Sequence, residues 1–215
     1  MILDKIPDLG NCTTFATAPG GLSAIQQPAC AATVWQRALA PRFQGWIDDL
    51  PPDQLPKARM IVRPEAVCDA LIDIARHHGI PECSERDFLI EDVCALAFIF
   101  ASVMKSTYLR VRFDVIQTNA CRKFHIDSVT ARLVCTYRGT GTQYGLSERG
   151  NDPEQIMTVP TGSPIILRGT RWSESPLSGL VHRSPPIAGT GETRLLLVLD
   201  PIKDPTLEDE TAYAQ

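Results

Sequence analysis

His125, Asp127, His182 and Arg194 are the residues whose types and spacing could do chemistry. They lie in the runs FHIDSVTARLVCTY and GLVHRSPPIAGTGETRLLLVLD. On a β-strand, positions i and i+2 point to one face. The imidazole of His125 and the carboxylate of Asp127 can then reach one ion, with Ile126 turned to the opposite layer. His182 follows 55 residues after Asp127, enough chain to make several strands and return beside the first pair. Two imidazoles and one carboxylate hold a divalent metal on one side and leave its other positions open. Arg194 comes twelve residues after His182 and opens the apolar run LLLVL. A guanidinium entering a small barrel needs an anionic partner, because an unpaired buried charge is costly. A carboxylate gripped by both arms of the fork suits that role, and Lys does not reproduce the geometry. Tyr137 is expected to offer its hydroxyl to the same carboxylate, with Thr136, of opposite strand parity, facing out.

Plainer readings compete. His-x-Asp tripeptides arise by chance, although two of the four His of the chain fall in this pattern. Arg194 has possible structural partners in Asp200 and Asp114. His77 and His78 sit where a helix should end, and a cation there favours the helix dipole. Cys121 precedes His125 by four residues, a spacing that can bind zinc, but a small buried apolar residue is the simpler role. Cys135 reads as core. The glycine-rich run Gly139 to Gly145 lacks the Lys-Ser/Thr of a phosphate loop and reads as a hairpin turn. Pro185 and Pro186 stiffen the chain after His182 and stop strand pairing.

The elements that must position these residues fall in two halves of an α+β fold. Residues 1–107 are expected to form an N-terminal helical region. Trp35, Leu39 and Phe43 recur at helical spacing over Ala31 to Leu50, with Pro41 as a kink. Pro64 opens a helix that ends at His78, with Gly79 as a left-handed cap. Ser84-x-x-Asp87 resembles a capping box for a helix over about 85–106, whose centre is apolar all round and so expected to be central to the core. Residues 108–200 alternate strand-like runs with Gly and Pro: 108–117, 131–137, 155–159, 164–168, 179–182 and 194–200. A double-stranded β-helix, the cupin-like jelly roll, fits these best. Residues 201–215 read as a loose acidic tail. The whole reads as one integrated domain.

Composition sets bounds. The chain has 215 residues, 44% hydrophobic and 21% charged, enough for a full core. A net charge of −4 and a pI near 5.6 argue against long nucleic acid as a partner. Seven cysteines without framework spacing imply reduced thiols and a cytoplasmic location. The N-terminal MILDKIPDLGNC has no secretory pattern. Val93 to Met104 is too short to cross a bilayer. Composition leaves oligomeric state open.

FHIDSVTARLVCTY, VPTGSPIILRG, GLVHRSPP and RLLLVLD resemble the core of prolyl-4-hydroxylase-like Fe(II)/2-oxoglutarate dioxygenases over residues 108–200. The resemblance implies His125, Asp127 and His182 as iron ligands, and Arg194, assisted by Tyr137, as the anchor of the distal carboxylate of 2-oxoglutarate. It implies oxidation of a substrate that the sequence does not name, a small molecule, a peptide or a nucleobase, and no membrane partner is expected. Arg168 stands where that pattern has an aromatic and is expected to alter the pocket. Over its full length the chain is similar to the bacterial family of domain of unknown function 1826, carried by VWQRAL, CRKFHIDSVTARLVCTYRGTGTQY and VPTG…GLVHRSPP…RLLLVLD. That resemblance implies a link to metal homeostasis, and hence a non-catalytic alternative in which Cys121 completes a closed Zn²⁺ site. A cupin-type isomerase or hydrolase using the metal as a Lewis acid is the third reading.

Overall fold

In the computed structural model of the chain the described residues are 12–147, 150–173 and 179–207. The expectations for the N-terminal eleven residues and for the tail beyond 207 lie outside them.

The strands are β1 (Thr13–Ala16), β2 (Ala32–Trp35), β3 (Ala58–Val62), β4 (Tyr108–Ile116), β5 (Ala131–Arg138), β6 (Gln143–Leu146), β7 (Met157–Thr158), β8 (Pro164–Arg168), β9 (Leu180–Arg183) and β10 (Arg194–Ile202). The α-helices are α1 (Pro41–Asp49), α2 (Val67–His77) and α3 (Ser84–Met104). A seven-stranded sheet runs β1-β2-β8-β5-β10-β4-β3, and a three-stranded sheet runs β7-β6-β9. From β4 onward the chain alternates between them: β5, β8 and β10 join the large sheet, and His125, β6, β7 and β9 the small one. β4 and β5 flank β10, both antiparallel to it.

Strand alternation builds two cores. Leu195, Leu197 and Leu199 of β10 pack with Leu109, Val111 and Phe113 of β4 and Leu133, Cys135 and Tyr137 of β5 against the helices. Leu196, Val198, Val134, Ile165 and Leu167 face the other way, against Tyr144 and Leu180 of the small sheet. Near-continuous apolar strands such as LLLVL result from burial on both faces.

The N-terminal half departs from the helical expectation, because β1, β2 and β3 come from it. They occupy both edges of the large sheet, so the sheet draws on both halves of the sequence. The Trp35–Leu39–Phe43 spacing is only partly helical: Trp35 ends β2, and Pro41 starts α1 rather than kinking it. A proline N–H is not missed in a first turn. The cap of α3 is Cys83, whose Sγ accepts from the Arg86 N–H at 3.4 Å, in place of Ser84. The apolar centre of α3 is buried on one side only: Val93, Leu96, Ala97 and Phe100 are buried while Phe98 is exposed. Cys68 and Cys94 are joined by a disulfide between α2 and α3, against the expectation of free thiols throughout.

One buried polar network ties α3 to the sheet. Asp92 accepts from both arms of Arg37, at 2.5 and 2.6 Å, and from the Tyr137 hydroxyl at 2.6 Å. Arg37 Nε donates to the Gly162 carbonyl at 2.7 Å. Removing Asp92 strands a buried cation. Asp92→Ala is expected to cost about 3–5 kcal/mol in urea unfolding, with any metal binding retained at the other side of the sheet.

Candidate metal centre

His125 and His182 face each other as a directly opposed antiparallel pair. Each backbone N–H donates to the other's carbonyl at 3.0 Å. Opposed residues put their side chains on one face, and the ring centroids are 4.6 Å apart. Asp127, two residues after His125, reaches the same spot. Its Oδ1 lies 3.5 Å from His125 Nε2, and its Oδ2 lies 3.0 Å from His182 Nε2. That second approach lacks hydrogen-bond geometry, and Oδ2 is buried with no hydrogen-bond partner. His125 Nδ1 lies 2.8 Å from the Lys123 carbonyl. That carbonyl can only accept, so Nδ1 carries a proton, and Nε2 is the nitrogen whose lone pair is available to an ion in the neutral ring. One ligand atom from each residue falls within 4.8 Å of the others. An orphaned carboxylate oxygen between two imidazoles fits a divalent cation, and the three residues can hold one.

The loop carrying Asp127 is clamped by the end of β8. Gly169 N–H donates to Thr130 O at 2.9 Å, Thr170 N–H to Asp127 O at 2.9 Å, and Arg171 N–H to Val129 O at 3.0 Å. A Cβ on Gly169 would overlap the Val129 carbonyl and stand 2.7 Å from the Asp127 carbonyl. Backbone cannot yield there without moving Asp127. Gly169→Ala is expected to weaken metal binding by about tenfold or more, the scale on which supports of metal ligands act. Titration with Mn(II) or Zn(II) measures it.

Arg132 supplies the electrostatics. Its NH1 lies 2.6 Å from Asp127 Oδ1, and its Nε and NH2 donate to Asp200 at 2.7 and 2.9 Å. Burial pushes the Asp127 carboxyl upward in pKa, but His125, His182 and Arg132 outweigh it and hold the group well below the usual carboxylate range. His125 is raised, first by its bond to Asp127, against the opposing effect of burial. Arg132 occupies Oδ1 and leaves Oδ2 for an ion.

Arg194 is fully buried at the start of β10. Its Nε donates to the Thr140 carbonyl at 2.6 Å. Both terminal nitrogens, NH1 and NH2, are buried without a hydrogen-bond partner. Burial pushes the guanidinium down to about 10. Neither structural partner expected for it bonds it: Asp200 is held by Arg132, and the ion-pair contact of Asp114 is with Arg112, at 3.8 Å. Glu192 is taken by Thr140, whose N–H and hydroxyl reach it at 2.6 and 3.0 Å. An unsatisfied guanidinium fork inside the fold can receive an anion. Gly139, at φ +78°, makes room for it, since a Cβ there would lie 2.9 Å from Arg194 Cγ.

Four expectations need correction. Tyr137 does not join Arg194: β5 alternation turns it toward the helices, where its hydroxyl bonds Asp92. Thr136, not Tyr137, shares the inter-sheet parity of Val134. Arg168 does not shape the pocket, because it donates to the Ile25 and Gln27 carbonyls and stacks on Trp172. Cys121 is exposed and outside the ligand group. The Gly139–Gly145 run is no hairpin, since it joins β5 and β6 of different sheets. Cys135 is core as read, its thiol pushed up to about 12 by burial.

The sequence reading misses Arg132 and places Asp200 only as a possible partner of Arg194, whereas Asp200 is held by Arg132. The available signal was parity: Arg194 and Asp200 are both even positions of one strand, and so face the same side.

The model of the family described as protein of unknown function (DUF1826) matches residues 16–200. No curated protein matches the chain in sequence. Among solved structures, dioxygenase for auxin oxidation 1 from Arabidopsis thaliana, in its binary complex with 2-oxoglutarate, is similar with a TM-score of 0.54. The match covers 89% of this chain and 92% of that one at 9% identity. The rice dioxygenase for auxin oxidation gives a TM-score of 0.50 at 15% identity, covering 88% and 82%. At such identities the likeness is one of fold. No helix among the described residues is long and apolar enough to cross a membrane.

Proposed function

Starting from a chain that belongs to the DUF1826 family, we propose that it is a non-haem Fe(II)/2-oxoglutarate-dependent oxygenase acting on a small-molecule or peptide substrate. The observation that carries this reading is one fold holding both an open two-histidine, one-carboxylate group and a buried Arg194 with two unpartnered terminal nitrogens. A metal alone does not require such an arginine. A dicarboxylate co-substrate that spans the two sites does.

His125, Asp127 and His182 would hold Fe(II). When bound, Fe(II) with 2-oxoglutarate and O₂ supplies oxidative decarboxylation to succinate and CO₂ coupled to oxidation of a substrate C–H bond. Arg194 binds the distal carboxylate of the co-substrate through its free NH1 and NH2. Nε stays on Thr140 O and fixes the plane of the fork. Arg132 orients Asp127 through Oδ1. Leu196, Val198 and Tyr144 keep water from the interior between the sheets. In this reading residues 108–200 form the double-stranded β-helix core, and the helices of the region up to 107 brace its large sheet from behind.

Anaerobic titration of 2-oxoglutarate into the Fe(II)-loaded protein tests it. The expected result is a saturable visible charge-transfer band, lost in Asp127→Ala and in Arg194→Met. Tight Zn(II) binding that needs Cys121, with no such band, would overturn the proposal in favour of a closed zinc site. Metal binding with turnover independent of 2-oxoglutarate would point to Lewis-acid chemistry instead.

A further inference from the structure

The inter-sheet face of the large sheet carries more arginine than the metal centre and Arg194 use. On β4, Leu109, Val111 and Phe113 face the helices, so Arg110, Arg112 and Asp114 face the other way. Register brings Arg112 beside Val198 of β10 and Arg59 of β3, and Arg110 beside Asp200. Arg132 connects this row to the metal group, touching Asp127 at 2.6 Å and Asp200 at 2.7 Å. Arg110 NH1 lies 4.0 Å from Asp200 Oδ2.

Four guanidinium groups, on Arg59, Arg110, Arg112 and Arg132, thus meet the carboxylates of Asp114, Asp127 and Asp200. Asp127 belongs to the metal, and Asp200 is gripped by both Nε and NH2 of Arg132. Arg112 is left with Asp114 at 3.8 Å, a distance without a hydrogen bond. Its Nε is buried with no partner, yet its side chain is 22% exposed. The side chain is therefore partly open to solvent while its Nε lacks a partner. Burial first, then Arg132 and Arg59, lower its pKa. A purely structural arginine at this place would be expected to have closed its pair with Asp114.

We propose that Arg112, with Arg59 beside it, binds an oxyanion group of the substrate, a carboxylate or a phosphate, so that the oxidised compound is an organic anion approaching the metal over β3 and β4. This identifies a substrate class and rests on the oxygenase reading above. The subsite is separate from Arg194, which lies at the opposite end of β10 from Asp200. Arg112 grips the substrate and Arg194 the co-substrate.

Mn(II) in the metal site, under anaerobic conditions, allows a test without turnover. Phenylacetate and phenyl phosphate are titrated as probes, each with and without saturating 2-oxoglutarate. Calorimetry reads affinity, and relaxation of the ring protons by Mn(II) reads proximity to the metal. The expected result is saturable, salt-sensitive binding of at least one probe, with relaxed ring protons. Which probe binds distinguishes carboxylate from phosphate. Arg112→Gln should weaken it about tenfold or more, the value of one charge-assisted pair, and leave 2-oxoglutarate affinity unchanged. Should the Gln variant fail to fold, Arg112→Lys keeps the charge but loses the fork and should still weaken the probe about threefold or more. Absence of binding by either probe, or affinity unchanged in the Arg112 variants, overturns the proposal. So does binding lost only in Arg194→Met. The 2-oxoglutarate titration alone reports on the oxygenase reading, and the probe arms run without 2-oxoglutarate remain informative if it fails.

Discussion

Arg194→Met should raise the stability of the ligand-free protein and abolish 2-oxoglutarate binding. Two buried N–H groups without acceptors each carry a desolvation penalty of about 1–3 kcal/mol. Replacing them with a thioether of similar length removes that penalty, at the loss of one bond to Thr140 O. The net expectation is a gain of about 1–3 kcal/mol in chemical denaturation, the direction seen when buried ionic groups become apolar. Truncating a buried fork that receives a carboxylate costs about 2–5 kcal/mol of binding, which is about 30-fold to several thousandfold in affinity. Metal affinity should be unchanged. Adding saturating 2-oxoglutarate to the metal-loaded proteins should then stabilise the wild type further but not the variant, inverting their order of melting. A variant less stable than wild type without ligand would identify Arg194 as a structural residue.

Asp127→Ala should remove metal binding altogether within the range of a competition titration. Asp127 is the anionic member of the group, and its loss should exceed the 10–100-fold typical of removing a ligand's support. It also leaves Arg132 with Asp200 alone, and His125 and His182 without the charge between them. Asp127→Asn separates these effects. The amide keeps the shape and an acceptor oxygen but no charge, so folding should be restored while metal affinity stays about 100-fold or more below wild type. Retained tight metal binding in both variants would mean that the ion sits elsewhere.

The candidate site was legible because its chemistry is local in sequence. His125 and Asp127 are two residues apart, and strand parity alone puts them on one face. Arg194 announced itself as a cation heading an apolar strand. The later strands were also readable: 164–168 is β8 as expected, and β4, β5 and β10 differ from expectation by one or two residues at an end. Their apolar runs are long and punctuated by Gly and Pro. What was not legible depended on partners distant in sequence. The short strands β1, β2 and β3 carry little periodic signal and exist because the open edges of the large sheet accept them. Tyr137 was assigned to the wrong face because parity says which residues share a side, not which side is the interior. The helices packed on β5 decided that, together with the register shift between β5 and β10 at Leu195/Leu196. Arg132 shows the same limit. Its charge is visible in the sequence, but only the tertiary fold sets it between Asp127 and Asp200. Residue types and their two-residue period thus determined which groups could act; long-range strand pairing and burial determined which of them meet, and which are left with an open valence for a ligand.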